Sequence, residues 1–243
     1  MSRKSAKKNI ILAFIPLSTT LGIDVEWNKP KDFMDDDAES TWMHKSLMEA
    51  EELKLDLECG LLKPKDMPGR IIVEPTSSLI PRTAARRFEK ELLAREAALF
   101  VERDFTSLCS QLESRLGSCK FEEGLQILAK VKRLKLTKIM LLRNPDCVRT
   151  LRNLRYFGKE ENQFELIIRK KGSELYEILK KIFNTEQEPD EKFWNDFSEE
   201  VKVFNIVTKD LKIFRTALSD QSYLRLLDVK KASTSTTDQL SNN

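Results

Sequence analysis

Nine lysines and arginines lie within residues 130–158, and a single acid, Asp146, accompanies them. The stretch carries a net charge of +8, whereas the whole chain carries +3. Val148, Leu151 and Leu154 recur at helical intervals, so the apolar residues share one face and the cations take the other. A surface with so few acids is suited to attracting an acidic partner. A solvated face that only keeps the protein soluble is the alternative, although such faces usually mix both signs of charge.

The chain offers few residues for catalysis or metal binding. Its single histidine, His44, lies beside Trp42 and Met43 in a predicted helix, where a structural role is favoured. The acids Asp35–Asp37 could hold a cation, but negative charge at this place favours the start of the helix that follows. The four cysteines are scattered without a CxxC pair, which favours a reducing compartment. The sequence therefore predicts no catalytic residue, no metal site, no cofactor and no enzyme activity.

The composition favours an all-α protein. Seven glycines and eight prolines in 243 residues are too few for a turn-rich β protein, whereas leucine, lysine, glutamate and arginine are abundant. Between residues 104 and 185, apolar residues repeat at steps of three and four, as in Phe105, Leu108 and Leu112. Five helical segments with short connections are predicted there, and they form a compact five-helix bundle.

Flanking segments are predicted on both sides of this bundle. Residues 1–81 form a poorly ordered region with one helix at 36–58 and a proline-rich linker. Residues 82–103 form a charged lead-in helix, and residues 190–230 form one long C-terminal helix. The polar residues 231–243 are predicted to be a disordered tail.

The apolar run Ile10–Leu17 follows several basic residues and is faintly similar to a signal peptide. Pro16 interrupts the run, and about eight residues is short for a signal core, so a strand-like or disordered start is favoured. No later stretch approaches a membrane span, and no membrane contact is predicted. The basic residues at the start of the chain fit nuclear import equally well.

A family resemblance rests on the stretch LQILAKVKRLKLTKIMLLRNPDCVRTLRNLRYFG and on SELYEILKKIF after it. This sequence resembles the helical domain shared by the N-terminal part of transcription elongation factor TFIIS, elongin A and the integrase-binding domain of lens epithelium-derived growth factor. The last helix closes with Leu179–Phe183, where the TFIIS branch usually has a Trp-Lys pair. The sequence is therefore more similar to the growth-factor branch, which includes the hepatoma-derived growth factor-related proteins. The resemblance covers residues 104–185.

The resemblance implies a nuclear module that grips disordered acidic motifs of transcription and chromatin proteins. In that branch two loops between helices form the pocket, and Leu151–Phe157 fits the second loop. Phe157 is then the hydrophobic wall against which a partner phenylalanine packs. The predicted motif-binding residues are Phe157, Arg149, Arg152, Arg155 and Lys159, together with Leu116 and Cys119 from the first loop.

The sequence departs from the family pattern in three places. The first loop, Leu116–Phe121, is about two residues shorter and lacks the acid that accepts backbone N–H groups of the partner. The second loop is longer by Lys159–Asn162. No PWWP chromatin-reading module is found in residues 1–100. A changed choice of motif is expected.

Two other functions stay open. The same cations could contact the backbone of DNA or RNA, because phosphate contacts require only lysine and arginine. The helices predicted at residues 36–58, 82–104 and 190–229 could also mediate assembly as a scaffold.

Overall fold

The computed structural model describes residues 9–16, 20–159 and 162–240, with side chains as far as residue 231. Helices dominate it, which confirms the all-α prediction, and one small sheet accompanies them. The strands are β1 (Ile10–Ala13), β2 (Leu21–Asp24) and β3 (Ile71–Val73). The helices are α1 (Asp36–Glu58), α2 (Arg82–Gly117), α3 (Phe121–Val131), α4 (Lys138–Arg143), α5 (Pro145–Asn153), α6 (Gln163–Ile182), α7 (Asp190–Val207), α8 (Phe214–Ala217) and α9 (Asp220–Leu240).

The chain divides into two compact units. Unit 1 consists of Met1–Arg95 and Val207–Asn243, and unit 2 consists of Glu96–Ile206. None of the helices within the described ranges has the length and apolar character that a membrane crossing needs.

Unit 1 contains an antiparallel sheet with the strand order β1-β2-β3. Every residue of β1 and β2 is buried, so the described part of residues 1–81 is ordered around a core, unlike the predicted poorly ordered region. Local sequence could not show this, because β3 follows β2 only after about 50 residues of other structure. Residues 1–8 and 17–19 lie outside the described ranges.

Helix α1 packs on this sheet. Its Ala50 and Leu57 are buried against Ile11, Ile23 and Val25. Asp35 is the N-cap of α1, since its carboxylate accepts the N–H of Ala38 at 2.7 Å. The acids at residues 35–37 therefore serve the start of a helix, as the sequence indicated.

The predicted single helix at residues 190–230 is wrong. The chain forms α7, α8 and α9 there, and the break includes Lys212, whose φ of +46° lies in the left-handed region. Ser219 starts α9 afresh, because its hydroxyl accepts the N–H of Ser222 at 3.1 Å. Within unit 1, α9 packs on α1, and Arg225 binds Asp56 with two hydrogen bonds of 2.8 and 3.0 Å.

The backbone of α9 is helical as far as Leu240. The predicted disordered tail therefore differs from the structure over residues 231–240, where a helix already started by Ser219 continues through polar residues. Residues 241–243 of that prediction lie outside the described ranges.

Unit 2 is a helical bundle built from the C-terminal part of α2 and from α3 to α7. The predicted lead-in helix is the first part of α2, which runs without a break to Gly117. Helix α7 lies within this unit: Phe193 and Phe197 are buried, and their rings lie 5.7 and 5.5 Å from the ring of Phe183. The bundle therefore extends beyond residue 185, the predicted limit. Its core includes Phe105, Leu112, Leu128, Leu141, Val148, Leu151, Ile168, Leu175 and Phe204.

Candidate motif-binding groove

A groove of about 480 Å³ opens in unit 2 between the C-terminal end of α2 and α5. Helix α2 supplies one wall, α5 supplies the other, and the segment after α5 closes one end. The lining residues are Leu112, Glu113, Leu116, Gly117, Asp146, Arg149, Thr150, Asn153, Leu154 and Phe157.

The floor of the groove is apolar. Leu112 and Leu154 are buried, and Phe157 is half-buried beside them. A 3-10 helix at Leu154–Tyr156 continues α5 and turns the chain so that Phe157 follows in an extended conformation. Its ring meets the ring of Phe121 edge to face at 6.1 Å. Phe157 is therefore fixed from one side by the bundle and presents its remaining surface to the groove.

Arg169 of α6 holds the backbone at this place. Its guanidinium donates to the carbonyl of Phe157 at 2.6 Å and to that of Gly158 at 2.8 Å. Gly158 has a φ of +71°, a conformation that glycine adopts without strain. The position of Phe157 is thus set by backbone contacts as well as by ring packing.

The rim of the groove carries both signs of charge. Arg149 lies 3.2 Å from Asp146, and 58% of its side chain is exposed. The hydroxyl of Thr150 donates to the carboxylate of Glu113 across the groove, which ties α5 to α2. With two carboxylates and one guanidinium, the rim is not uniformly basic.

Helix α5 positions these rim residues by its periodicity. Pro145 occupies its first turn, where proline is tolerated, and Val148 and Leu151 face the core. The opposite face carries Asp146, Arg149, Thr150 and Asn153, at steps of three, one and three. This spacing places Asp146 and Asn153 on the same helix face as Arg149, so it could have predicted them as site residues. Neither of them was predicted.

The structure brings three of the predicted site residues together: Leu116, Arg149 and Phe157 all line the groove. Cys119 does not line it. That residue is exposed in the turn after α2 and has a φ of +55°. Lys159 is also exposed and does not line the groove, and its backbone N–H donates to Glu165 at 2.9 Å.

Arg152 and Arg155 face α7 instead of the groove, which corrects their predicted role on a free basic surface. Both guanidinium groups bind the carboxylate of Asp190, Arg152 at 2.9 Å. Arg152 also lies over the ring of Trp194 at 4.7 Å, and Arg155 over that of Tyr176 at 4.8 Å. The sequence could not show this pairing, because Asp190 lies 35 residues beyond Arg155.

This cluster favours the ionised form of Asp190. Burial opposes its ionisation, but the hydrogen bonds from Arg152 and Arg155 outweigh that effect and hold the pKa of Asp190 below its ordinary value. The carboxylate therefore remains a counterion for both arginines.

Other cations of the basic stretch are also paired within unit 2. Lys138 binds Glu200 of α7 at 2.6 Å, and Arg143 binds Glu102 of α2 at 2.8 Å. The predicted single basic face is thus divided: several of its cations hold α5 and its neighbours to α2 and α7.

Comparison with known proteins supports the resemblance seen in the sequence. Residues 102–206 match the family model of lens epithelium-derived growth factor (LEDGF). This range ends at the boundary of unit 2 and includes all of α7 except its last residue, Val207. No curated protein and no solved structure matches the chain.

The LEDGF match is typical of an interaction domain of the chromatin and transcription type rather than of an enzyme. Within the described part of the chain, no group of three or more histidine, cysteine, aspartate or glutamate side chains is placed to hold a metal ion.

Proposed function

We propose that unit 2 is a nuclear interaction module whose groove binds a short, disordered motif with an aromatic anchor and an acidic flank. The partners are transcription or chromatin proteins. The observation that carries the proposal is the apolar groove between α2 and α5, in which Leu116, Arg149 and Phe157 come together. The family match over residues 102–206 supports the same class of function.

The aromatic anchor of the partner packs on the floor of the groove. Phe157 offers its exposed ring surface there, and Leu116 offers a methyl-lined wall. Burial of one aromatic or large aliphatic side chain stabilises a complex by about 1.5–3 kcal/mol. This contact supplies most of the affinity, because ion pairs on an exposed rim contribute only about 0.2–1 kcal/mol each.

Arg149 selects the acidic flank. Its present partner, Asp146, is 84% exposed, so the ion pair between them is weak and easily exchanged for an acid of the motif. Glu113 and Asp146 repel further acids along the rest of the rim. The bound motif therefore carries its acid on the side of Arg149, and not along its whole length.

Gly117 offers a way to block the groove without weakening the core. It lines the groove, and an added Cβ atom there would meet no other atom within 4 Å. Gly117→Leu should fill part of the groove, whereas Gly117→Ala adds little volume and is its matched control. Both variants should unfold at the same temperature as the wild type.

The test is a peptide-display selection on the full chain, with a library of disordered protein segments. Enriched peptides should contain an aromatic residue beside an acid, and they should bind the Gly117→Ala variant like the wild type. Gly117→Leu should weaken them by about tenfold or more, a change that corresponds to about 1.4 kcal/mol. Equal binding of the peptides to both variants would show that the groove is not their binding site.

A further inference from the structure

A second surface of unit 2 differs from the groove, since most of its cations form no ion pair with a residue that the structure describes. Lys130, Arg133 and Lys135 are exposed, and no ion pair joins them to any residue that the structure describes. Lys132 lies among them and binds Glu174 of α6 at 3.0 Å. Here the basic stretch keeps its charge at the surface.

Helix α6 adds a further cation to this surface. The same carboxylate of Glu174 lies 3.3 Å from Lys171, so the ammonium groups of Lys132 and Lys171 surround one acid. Each of these two lysine side chains is nearly half exposed. We call Lys130, Lys132, Arg133, Lys135 and Lys171 the basic patch; with Glu174 they carry a net charge of +4.

The end of α3 accounts for only part of this cluster. Cations favour the C-terminal end of a helix, and Lys130 and Lys132 lie at that end. Lys135 lies beyond the last turn of α3, and Lys171 belongs to another helix. Arg133 also follows the C-cap residue Lys132, so a role in capping α3 leaves three of the five cations unexplained.

We propose that the basic patch binds the phosphodiester backbone of a nucleic acid. The proposal goes beyond the groove and does not depend on it. Of the two apolar residues within the patch segment, Val131 is buried and Leu134 is half-buried, so recognition there must rest on charge instead of an apolar anchor. A phosphate backbone presents closely spaced negative charges and needs no such anchor. Contacts to the backbone alone do not select a base sequence.

The test measures binding of the full chain to a short duplex DNA and to a single-stranded RNA of equal length, by fluorescence anisotropy over a range of salt concentrations. The patch variant is Lys132→Gln/Arg133→Gln/Lys135→Gln. The matched control, Lys192→Gln/Lys202→Gln/Lys209→Gln, changes the net charge equally at exposed lysines outside the patch. Gly117→Leu serves as a groove variant that should bind nucleic acid like the wild type.

The wild type should lose affinity steeply as salt rises, and the patch variant should show a slope shallower by about 0.9 for each lost contact to duplex DNA. At low salt the patch variant should bind about tenfold or more weakly, and the control should stay close to the wild type. Tighter binding to the DNA or to the RNA shows which of the two nucleic acids the patch prefers.

Three outcomes would overturn the proposal. Equal losses in the patch variant and its control would show a response to net charge only. Binding to vesicles of anionic phospholipid without binding to either nucleic acid would assign the patch to a membrane surface. Failure of the wild type to bind any nucleic acid at low salt would show that the patch does not recognise a phosphate backbone. Because Gly117→Leu reports on the groove separately, failure here leaves the motif-binding proposal standing.

Discussion

The basic stretch at residues 130–158 has two halves with opposite electrostatic environments. From Lys138 onward, Arg143, Arg152 and Arg155 meet carboxylates that α2 and α7 supply. Before Lys138, only Lys132 meets a carboxylate among the described residues, that of Glu174. The cations of the second half thus stabilise the bundle, whereas those of the first half remain at the surface. Charge pattern alone shows which residues lie on a polar face, whereas acids distant in sequence determine which charges remain available.

The largest effect on stability should come from replacement of Glu102, the α2 carboxylate that pairs with Arg143 in the half from Lys138 onward. It binds Arg143 at 2.8 and 3.0 Å and accepts from the amide of Asn144 at 2.7 Å, with only 16% of its side chain exposed. Glu102→Gln should lower the free energy of unfolding by about 3 kcal/mol, because it removes a negative charge that faces the largely buried guanidinium of Arg143. Urea denaturation measures this difference.

Glu96→Gln is the matched control on the same helix, since Glu96 is exposed and forms no ion pair among the described residues. Its effect should stay within about 0.5 kcal/mol. Similar stabilities for the two variants would mean that the pairing of Arg143 does not hold α2 to the bundle.

In the same half, replacement of Asp190 should have a smaller effect on the free energy of unfolding, and this effect should depend on pH. Asp190→Asn should lower the free energy of unfolding by roughly 1.5–3 kcal/mol at neutral pH, as expected for hydrogen bonds to charged groups. The pKa of Asp190 is lower in the folded protein, so its contribution is fully present above the ordinary value of 3.8. That contribution is lost as the pH falls through the lowered folded pKa.

Urea denaturation of wild type and Asp190→Asn at several pH values tests this dependence. The difference between the two proteins should be constant above about pH 5 and should shrink in more acidic solution. A difference that stays constant into strong acid would show that Asp190 does not act through its charge.

The smallest effect is expected in the other half of the stretch. Lys132→Ala removes the exposed pair with Glu174 and should leave the unfolding temperature nearly unchanged. The hydrogen bonds and charges of Lys132 and Lys171 lower the pKa of Glu174, so the variant should raise that pKa toward its ordinary value. NMR titration of the glutamate side chains measures the shift. A marked loss of stability would show that Lys132 stabilises the bundle, as the cations after Lys138 do.

The sequence predicted the helices of the bundle because their apolar periodicity is local. α4, α5 and α6 lie where the spacing of residues such as Ile139, Val148 and Ile168 indicated. The sheet of unit 1 was not predictable in this way, since β2 and β3 are far apart in sequence. The break between α7 and α9 depends on Ser219 and on the backbone of Lys212, which no apolar pattern encodes.

The candidate site was predictable to a similar degree. Phe157 followed from the family resemblance and Arg149 from the basic helix face, and both line the groove. Glu113 was missed, because its place on the rim depends on the packing of α2 against α5. Arg152 and Arg155 were assigned to the wrong partner, since the acid that binds them comes from a helix outside the recognised motif.

Chemical-shift mapping by NMR on the full chain tests most directly whether the groove binds the proposed motif. A display-selected peptide with an aromatic residue beside an acid is added to protein labelled at leucine methyl groups and phenylalanine rings. The largest changes are expected at Leu112, Leu116, Leu154 and Phe157. Changes confined to residues away from the groove, with these four signals unmoved at saturation, would contradict this expectation.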